Sequence, residues 1–232
     1  MEKLITLFTF LSLTITAYCQ QTHEIFVWKG GVPTRIDAVD SITFAAPLAD
    51  EHEAIDMGLS VKWAAENLGA ATPEAFGLHY AWAEAAPKED YSWQTYAWGT
   101  GEELTKYTTE SGLTQIEAAD DAATALWGGA WRMPTDAEVK ELLDNCTWTW
   151  TTQNGTDGYL VTARNGNSIF LPTTGLYYGD FLDDDETGGY YWTSTLRTGY
   201  DSFARRLQFD SEGSDLGTSS RFIGFAIRAV RP

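Results

Sequence analysis

The run Trp127-Gly128-Gly129-Ala130-Trp131-Arg132-Met133-Pro134-Thr135, leading into Asp136-Ala137-Glu138-Val139, constrains the fold more than any other part of this chain. Two indoles bracket paired glycines, a proline ends the run, and a helix then opens with its own cap. Thr135 is a good N-cap, and Glu138 three positions on completes a capping box. Val139, Leu142 and Leu143 share one helical face while Lys140, Glu141 and Asp144 turn outward, which predicts an amphipathic helix. Just upstream, residues 120–127 are Ala-rich and read as a short helix, ended by Gly128-Gly129 where a left-handed turn costs little. Punctuation this dense describes a rigid, tightly cornered frame. It places no nucleophile, base or metal ligand.

Short strands dominate elsewhere. Residues 61–64 and 78–83 alternate as strands would, and Tyr91, Trp93, Tyr96 and Trp98 crowd an aromatic-rich loop or strand. The run Thr147-Trp148-Thr149-Trp150-Thr151 has the two-residue period, with both indoles on one face. Asn154-Gly155 and Asp157-Gly158 mark a turn before residues 159–163 return. Asn165-Gly166 is the strongest hairpin signal and leads into residues 168–172. Residues 204–209 and 222–230 are expected as two closing strands. Near the N-terminus, residues 25–28, a Lys29-Gly30-Gly31 turn, a hairpin arm at 32–36 and a strand at 42–44 suggest a small β unit. The expected organisation is therefore a β module at 20–46, a polar linker at 47–53 and an α+β domain at 54–232, with about two short helices among twisted antiparallel strands.

Residues 1–19 read as an export signal: Lys3, then an apolar run too short to span a bilayer, then Ala17-Tyr18-Cys19. Cleavage before Gln20 is expected. The competing reading makes Cys19 a lipid-anchored cysteine, but Tyr18 is bulky where such sites take Gly, Ala or Ser. No later stretch suits a transmembrane helix. Removing the leader takes away Glu2 and Lys3, so the net charge stays at −18. That balance repels phosphate backbones and anionic lipid, which argues against nucleic-acid and membrane-surface partners. Only Cys146 then remains, so no internal disulfide can form and packing must hold the chain together. With 44% hydrophobic and 14% aromatic residues, the material for a core is present.

Enzyme chemistry finds little purchase. His23, His52 and His79 lie far apart, none at metal-ligand spacing. Cys146 follows an amphipathic helix, where a buried structural thiol is usual. A two-carboxylate hydrolase stays open, because 33 acids offer many pairs and sequence fixes no distances. The acidic loop Asp180, Asp183-Asp184-Asp185-Glu186 could supply oxygen ligands to calcium, but its spacing is not an EF-hand and a solvated loop is the simpler expectation. No cofactor and no metal site are expected. The ten tryptophans invite a sugar-stacking reading. Trp63, Trp82, Trp127, Trp131 and Trp192 nevertheless belong to frame-building blocks, and Trp148 and Trp150 are expected to pack as well. Tyr177-Tyr178 and Tyr200, beside glycines, are the better candidates for exposed aromatics.

Taken in order, several blocks resemble the Fibrobacter succinogenes major paralogous domain, the FISUMP family of secreted Bacteroidetes proteins. They are residues 55–64, Asn67-Leu68-Gly69-Ala70, Tyr80-Ala81-Trp82-Ala83-Glu84, residues 120–135, Ile169-Phe170-Leu171-Pro172, Tyr191-Trp192-Thr193-Ser194 and Gly224-Phe225-Ala226-Ile227-Arg228. Residues 39–44 also resemble a short module found before such domains. The resemblance covers about residues 54–232 and implies a C-type-lectin-like or formylglycine-generating-enzyme-like fold. It also implies export, often to the cell surface, without an assigned activity. Its last strands resemble the variable region of diversified proteins. That likeness implies Ala204, Leu207, Phe209, Gly224 and Phe225 as scaffold, and Arg205, Arg206, Gln208, Asp210 and Phe222 as display positions. The Arg205-Arg206 pair and the acids Asp210, Glu212 and Asp215 depart from the usual Tyr-, Asn- and Ser-rich face.

The expectation is a secreted or surface-exposed, non-catalytic binding module for a protein or glycan ligand. Its candidate face comprises Tyr200, Arg205, Arg206, Gln208, Asp210 and Phe222. The alternatives are a structural or assembly component of the cell envelope, docking through residues 24–44, and a hydrolase or oxidase on the same fold.

Overall fold

The structure, a computed structural model, describes residues 52–183 and 187–232 and the strand paths Ile25–Lys29 and Val32–Ile36. The chain divides between Leu48 and Ala49 into two compact units. In the first, β1 (Ile25–Lys29) and β2 (Val32–Ile36) form an antiparallel hairpin that pairs Ile25 with Ile36 and Lys29 with Val32. The export segment 1–19, Cys19, His23, the 39–44 module with its 42–44 strand, most of the 47–53 linker and residues 184–186 of the acidic loop lie outside the described residues.

The second unit is mostly strand, with two α-helices set among small antiparallel sheets. It begins with β3 (Ala54–Ile55) and β4 (Lys62–Ala64), followed by a long irregular stretch holding one 3-10 turn at Thr109–Ser111. Helices α1 (Ala122–Trp127) and α2 (Asp136–Asn145) come next. Strands β5 (Thr147–Gln153), β6 (Thr156–Thr162) and β7 (Ser168–Pro172) form one meander, and β8 (Leu176–Tyr178) and β9 (Phe181–Asp183) a short hairpin. A second meander holds β10 (Gly189–Leu196), β11 (Phe203–Asp210) and β12 (Gly213–Ser220). Finally β13 (Val230–Arg231) pairs with β4, so that β4 lies between β13 and β3. Among the described residues no helix is long and apolar enough to cross a membrane.

Both helices are set by local chemistry. The Asp121 side chain caps α1 through the Thr124 amide at 2.9 Å and also accepts from the Met133 amide at 2.8 Å. Gly128 and Gly129 then take φ of 66° and 60°, with open space where a Cβ would stand, so conformation rather than crowding calls for glycine there. At α2 the Thr135–Glu138 capping box is present, and Glu138 also receives the Arg132 guanidinium fork at 2.8 and 2.5 Å. Burial alone would raise the Glu138 carboxyl, but Arg132 and the Thr135 amide outweigh it and hold it below the usual value of 4.5.

Two expected strands are not strands. In residues 78–83 only Tyr80 makes a bridge, to Phe225, and Ala83 turns away at φ 62°. Residues 222–229 form no ladder either: they thread between other elements, with single bridges from Gly224 to Tyr177, Phe225 to Tyr80 and Ala226 to Tyr191. Both stretches are apolar because they are buried on several sides, which mimics a strand pattern. Conversely β12, polar and absent from the sequence expectation, pairs along its whole length with β11, from Phe203–Ser220 to Asp210–Gly213.

The frame indoles are inside: Trp82 and Trp192 are 0% exposed, Trp63 and Trp131 2%, and Trp127 7%. One core cluster gathers Trp82, Trp192 and Phe225, and another packs Trp63, Val139, Leu207 and Phe209 beneath α2. Trp148 and Trp150 sit partly buried, both edge-on to Tyr159 and Phe209. A third, smaller cluster of Tyr91, Tyr96 and Phe222 underlies the long irregular stretch.

Two arginines pin these parts together. Arg228 is 2% exposed and donates to Asn67 Oδ1 and to the carbonyls of Ala64, Ala65 and Phe170 at 2.8–3.2 Å. Burial pulls its guanidinium down to about 10. Arg221, fully buried, donates to the Tyr96 hydroxyl and to the carbonyls of Tyr107, Asp201 and Lys106. Its guanidinium also lies 4.9 Å from the Trp82 ring.

Arg228→Ala takes a donor from two buried carbonyls and one part-buried carbonyl and should cost about 3–5 kcal/mol in urea unfolding. Arg228→Lys should recover little, because a point charge cannot replace the planar fork; wild-type stability in the Lys variant would refute this role. Because the Glu138 carboxyl is depressed in the folded state, its contribution is present above pH 4.5 and fades as pH falls below that value. Glu138→Gln should therefore flatten the acid limb of a stability-versus-pH curve and lose about 1 kcal/mol at neutral pH.

Candidate functional site

Strand β11 carries most of the residues expected on a ligand face, and its two-residue period separates them. Leu207 and Phe209 point into the cluster under α2, while Ala204 joins the cluster around Trp192. Alternation then puts Arg205 on the α2 face and Arg206, Gln208 and Asp210 on the other.

Arg205 is committed: its Nε donates to Asp136 Oδ1 at 3.0 Å, at the first turn of α2, and its carbonyl accepts from Thr193 Oγ1. The two partners are 29% and 28% exposed, so the pair contributes less than about 1 kcal/mol. Its role is to seat α2 against the sheet, alongside the Asp136 amide on Thr195 Oγ1 and the Ser194 amide on the Pro134 carbonyl.

Arg206 is placed differently. It stands opposite Gly217 and donates from Nε to Ser219 Oγ at 2.9 Å. Gly217 leaves room for the guanidinium; a Cβ there would meet it at 3.0–3.1 Å. Nη1 is buried and has no hydrogen-bond partner. Burial pulls the guanidinium below the usual arginine value, with the Asp215 charge opposing. Gln208, half-buried, stands opposite Asp215 in the next row. At the β11–β12 turn a shallow depression of about 330 Å³ is lined by Gln208, Asp210, Glu212, Ser214 and Asp215. Asp210 Oδ1 accepts from the Glu212 and Gly213 amides, so this carboxylate shapes the turn as well as facing solvent.

The other two expected residues part company. Tyr200 is 57% exposed in the β10–β11 connection, with the Arg197 guanidinium 3.8 Å from its ring. Phe222, expected on the surface, is only 5% exposed and lies 4.9 Å from the Trp93 ring. Its neighbour Arg221 is pinned inward and takes Phe222 with it, so Phe222 belongs to the scaffold. Sequence reasoning missed Gly217 and Ser219 because β12 reads as a glycine- and serine-rich loop. Full pairing with β11 makes it a face.

The remaining candidates are accounted for singly. His79 is buried with Nε2 on the Thr174 carbonyl at 2.9 Å, and burial lowers its pKa. His52 stacks on Trp127 at 3.8 Å and meets Glu66 at 2.8 Å. Cys146 ends α2, half-buried, its thiol pushed up by burial. Among the described residues no three His, Cys, Asp or Glu side chains stand close enough to hold a metal ion. What the β11–β12 face offers is a set of polar groups on a fixed lattice: guanidinium donors, a carboxamide, a hydroxyl and a rim of carboxylates. Comparison of the chain with family models, with curated proteins and with solved structures found no match.

Arg205→Ala and Arg206→Ala should behave differently in thermal unfolding. The first should lower stability by about 0.5–1 kcal/mol through loss of the Asp136 pair. The second, which removes a half-buried cation with an unpartnered nitrogen, should be neutral or slightly stabilising. Equal losses in both would contradict the two-faced arrangement.

Proposed function

We propose that residues 54–232 are a FISUMP-type domain with a C-type-lectin-like fold, exported to the outside of the cell, which binds a protein or glycan ligand and performs no catalysis. The ligand is read by the open β11–β12 face, with Arg206 at its centre and Gln208, Ser219 and Asp215 around it. Asp210 and Tyr200 lie at opposite ends. The observation that carries this reading is the row around Arg206: a half-buried guanidinium held on Ser219, with Gln208 and Asp215 in the next row, on strands braced from behind by Leu207 and Phe209. Polar groups fixed in place on paired strands can meet a ligand at little ordering cost. The mixed helix-and-strand architecture supports the fold assignment, and the blocks resembling the family include the buried frame around Trp82, Trp192 and Phe225.

A second reading, assembly into the cell envelope through the N-terminal unit, is favoured by one observation. Among the described residues the β1–β2 sheet holds two strands, and backbone groups on its outer edges could pair with an added strand.

A glycan array and a protein pull-down with the purified chain should yield a ligand whose affinity falls about tenfold or more in Arg206→Ala and clearly in Gln208→Ala. Unchanged affinity in folded variants would remove this face. Mass spectrometry of the secreted protein should find Gln20 as the first residue; a diacylated Cys19 would replace secretion with anchoring.

A further inference from the structure

Away from the β11–β12 face, the hairpin β8–β9 presents a second surface. Tyr178 and Phe181 are the cross-strand pair that closes the Gly179-Asp180 turn, so their side chains leave the same face of the hairpin. They are 62% and 66% exposed, the two most exposed large hydrophobic side chains among the described residues. A lone exposed aromatic needs no explanation, but a fixed adjacent pair does.

Tyr178 is supported from beneath. Tyr178 rests edge-on against buried Phe222 at 5.3 Å, and Phe222 in turn leans on Trp93. The Gly179 amide and carbonyl exchange hydrogen bonds with Tyr91 at 2.8 and 2.7 Å, and Tyr177 does the same with Gly224 at 2.9 and 3.0 Å. The tip backbone is thus stitched to two other segments, which lowers the ordering cost of presenting these side chains at binding.

Among the described residues, carboxylates stand beside them. Asp180 sits in the turn, Asp183 ends β9, and the Tyr91–Gly179 bridge brings Asp90 alongside Asp180 in register; all three are exposed. The Lys88 ammonium on the adjoining loop is engaged by Glu84 at 2.9 Å and faces the Tyr91 and Tyr96 rings. Rings rimmed by carboxylates, on a chain of net charge −18, are complementary to a cation that can also lie on an aromatic face.

We propose that the Tyr178–Phe181 pair is a docking point for an arginine- or lysine-bearing segment of a partner protein, whose cations lie on the rings and meet Asp90 and Asp180. This surface is separate from the Arg206 face, so either can fail without the other.

The test is titration of the full chain with a hexa-arginine peptide at about 0.15 M salt, where diffuse attraction is largely screened. Phe181→Ser should weaken binding about threefold to fivefold, and Asp180→Asn should weaken it similarly. The remote pair Asp144→Asn/Glu212→Gln, exposed acids on other elements, should bind as wild type. Both ring-side substitutions are at exposed positions, and circular dichroism checks their fold. The proposal is overturned if Phe181→Ser and Asp180→Asn both bind as wild type, or if the remote acid variant weakens binding equally, which would mean diffuse charge alone. It is also overturned if the surface instead takes a neutral oligosaccharide whose binding is lost in Phe181→Ser.

Discussion

The larger unit depends on two buried guanidinium groups that, among the described residues, form no ion pair with a carboxylate and instead donate mainly to backbone carbonyls. Arg221 and Arg228 bracket the irregular segment 222–227, and each collects carbonyl oxygens from chain stretches distant in sequence. Irregular backbone inside a protein leaves carbonyls that no ladder satisfies. Here a planar cation with five donors satisfies several at once, and its own desolvation is offset by those dipoles and by ring faces. For Arg221 the rings of Trp82, Tyr96 and Tyr107 lie 4.9–5.8 Å away. With Cys146 the only cysteine among the described residues, and free, these clamps tie distant stretches together without a covalent cross-link.

Both candidate binding surfaces derive from those clamps. The inward pull on Arg221 buries Phe222, and Phe222 supports Tyr178 at the β8–β9 tip. The segment ending at Arg228 lies against β10, with Ala226 exchanging backbone hydrogen bonds with Tyr190 and Trp192, and β10 in turn carries β11. Recognition groups thus stand on backbone that has nowhere else to go. Arg206 and the Tyr178–Phe181 pair differ in chemistry, one cationic and one aromatic within an acidic rim, and this suits them to different ligands.

How much could be read from the chain depended on how local the cause was. The Gly128-Gly129 stop of α1, the cap of α2 and the meander from β5 to β7 were legible, because Thr135, Glu138 and the Asn-Gly turns act within a few residues. Asp121, however, went unread as the α1 cap, and Asp157-Gly158, read as turn, lies inside β6. Strand β12 was not: Gly213-Ser214-Asp215-Leu216-Gly217-Thr218-Ser219-Ser220 has one apolar side chain and owes its form to β11. Residues 222–229 were over-read for the opposite reason, since burial on all sides leaves apolar runs resembling a strand. Arg205 and Arg206 could have been told apart, because the two-residue period that buries Leu207 and Phe209 turns Arg205 the same way. Nothing local announces that Arg221 and Arg228 are interior; the only trace is a charge at either end of an apolar run.

Strand β4 separates the first strand of the larger unit from its last, with Ile55 and Val230 both paired to Trp63. Two strand spacings of about 4.8 Å therefore divide the point where the chain comes in from the point where it goes out. A module with neighbouring ends can be spliced into a loop of a host protein as a cassette, with little stretching of the host backbone. The β8–β9 tip and the β11–β12 turn are both internal to the chain, so neither is formed by those ends.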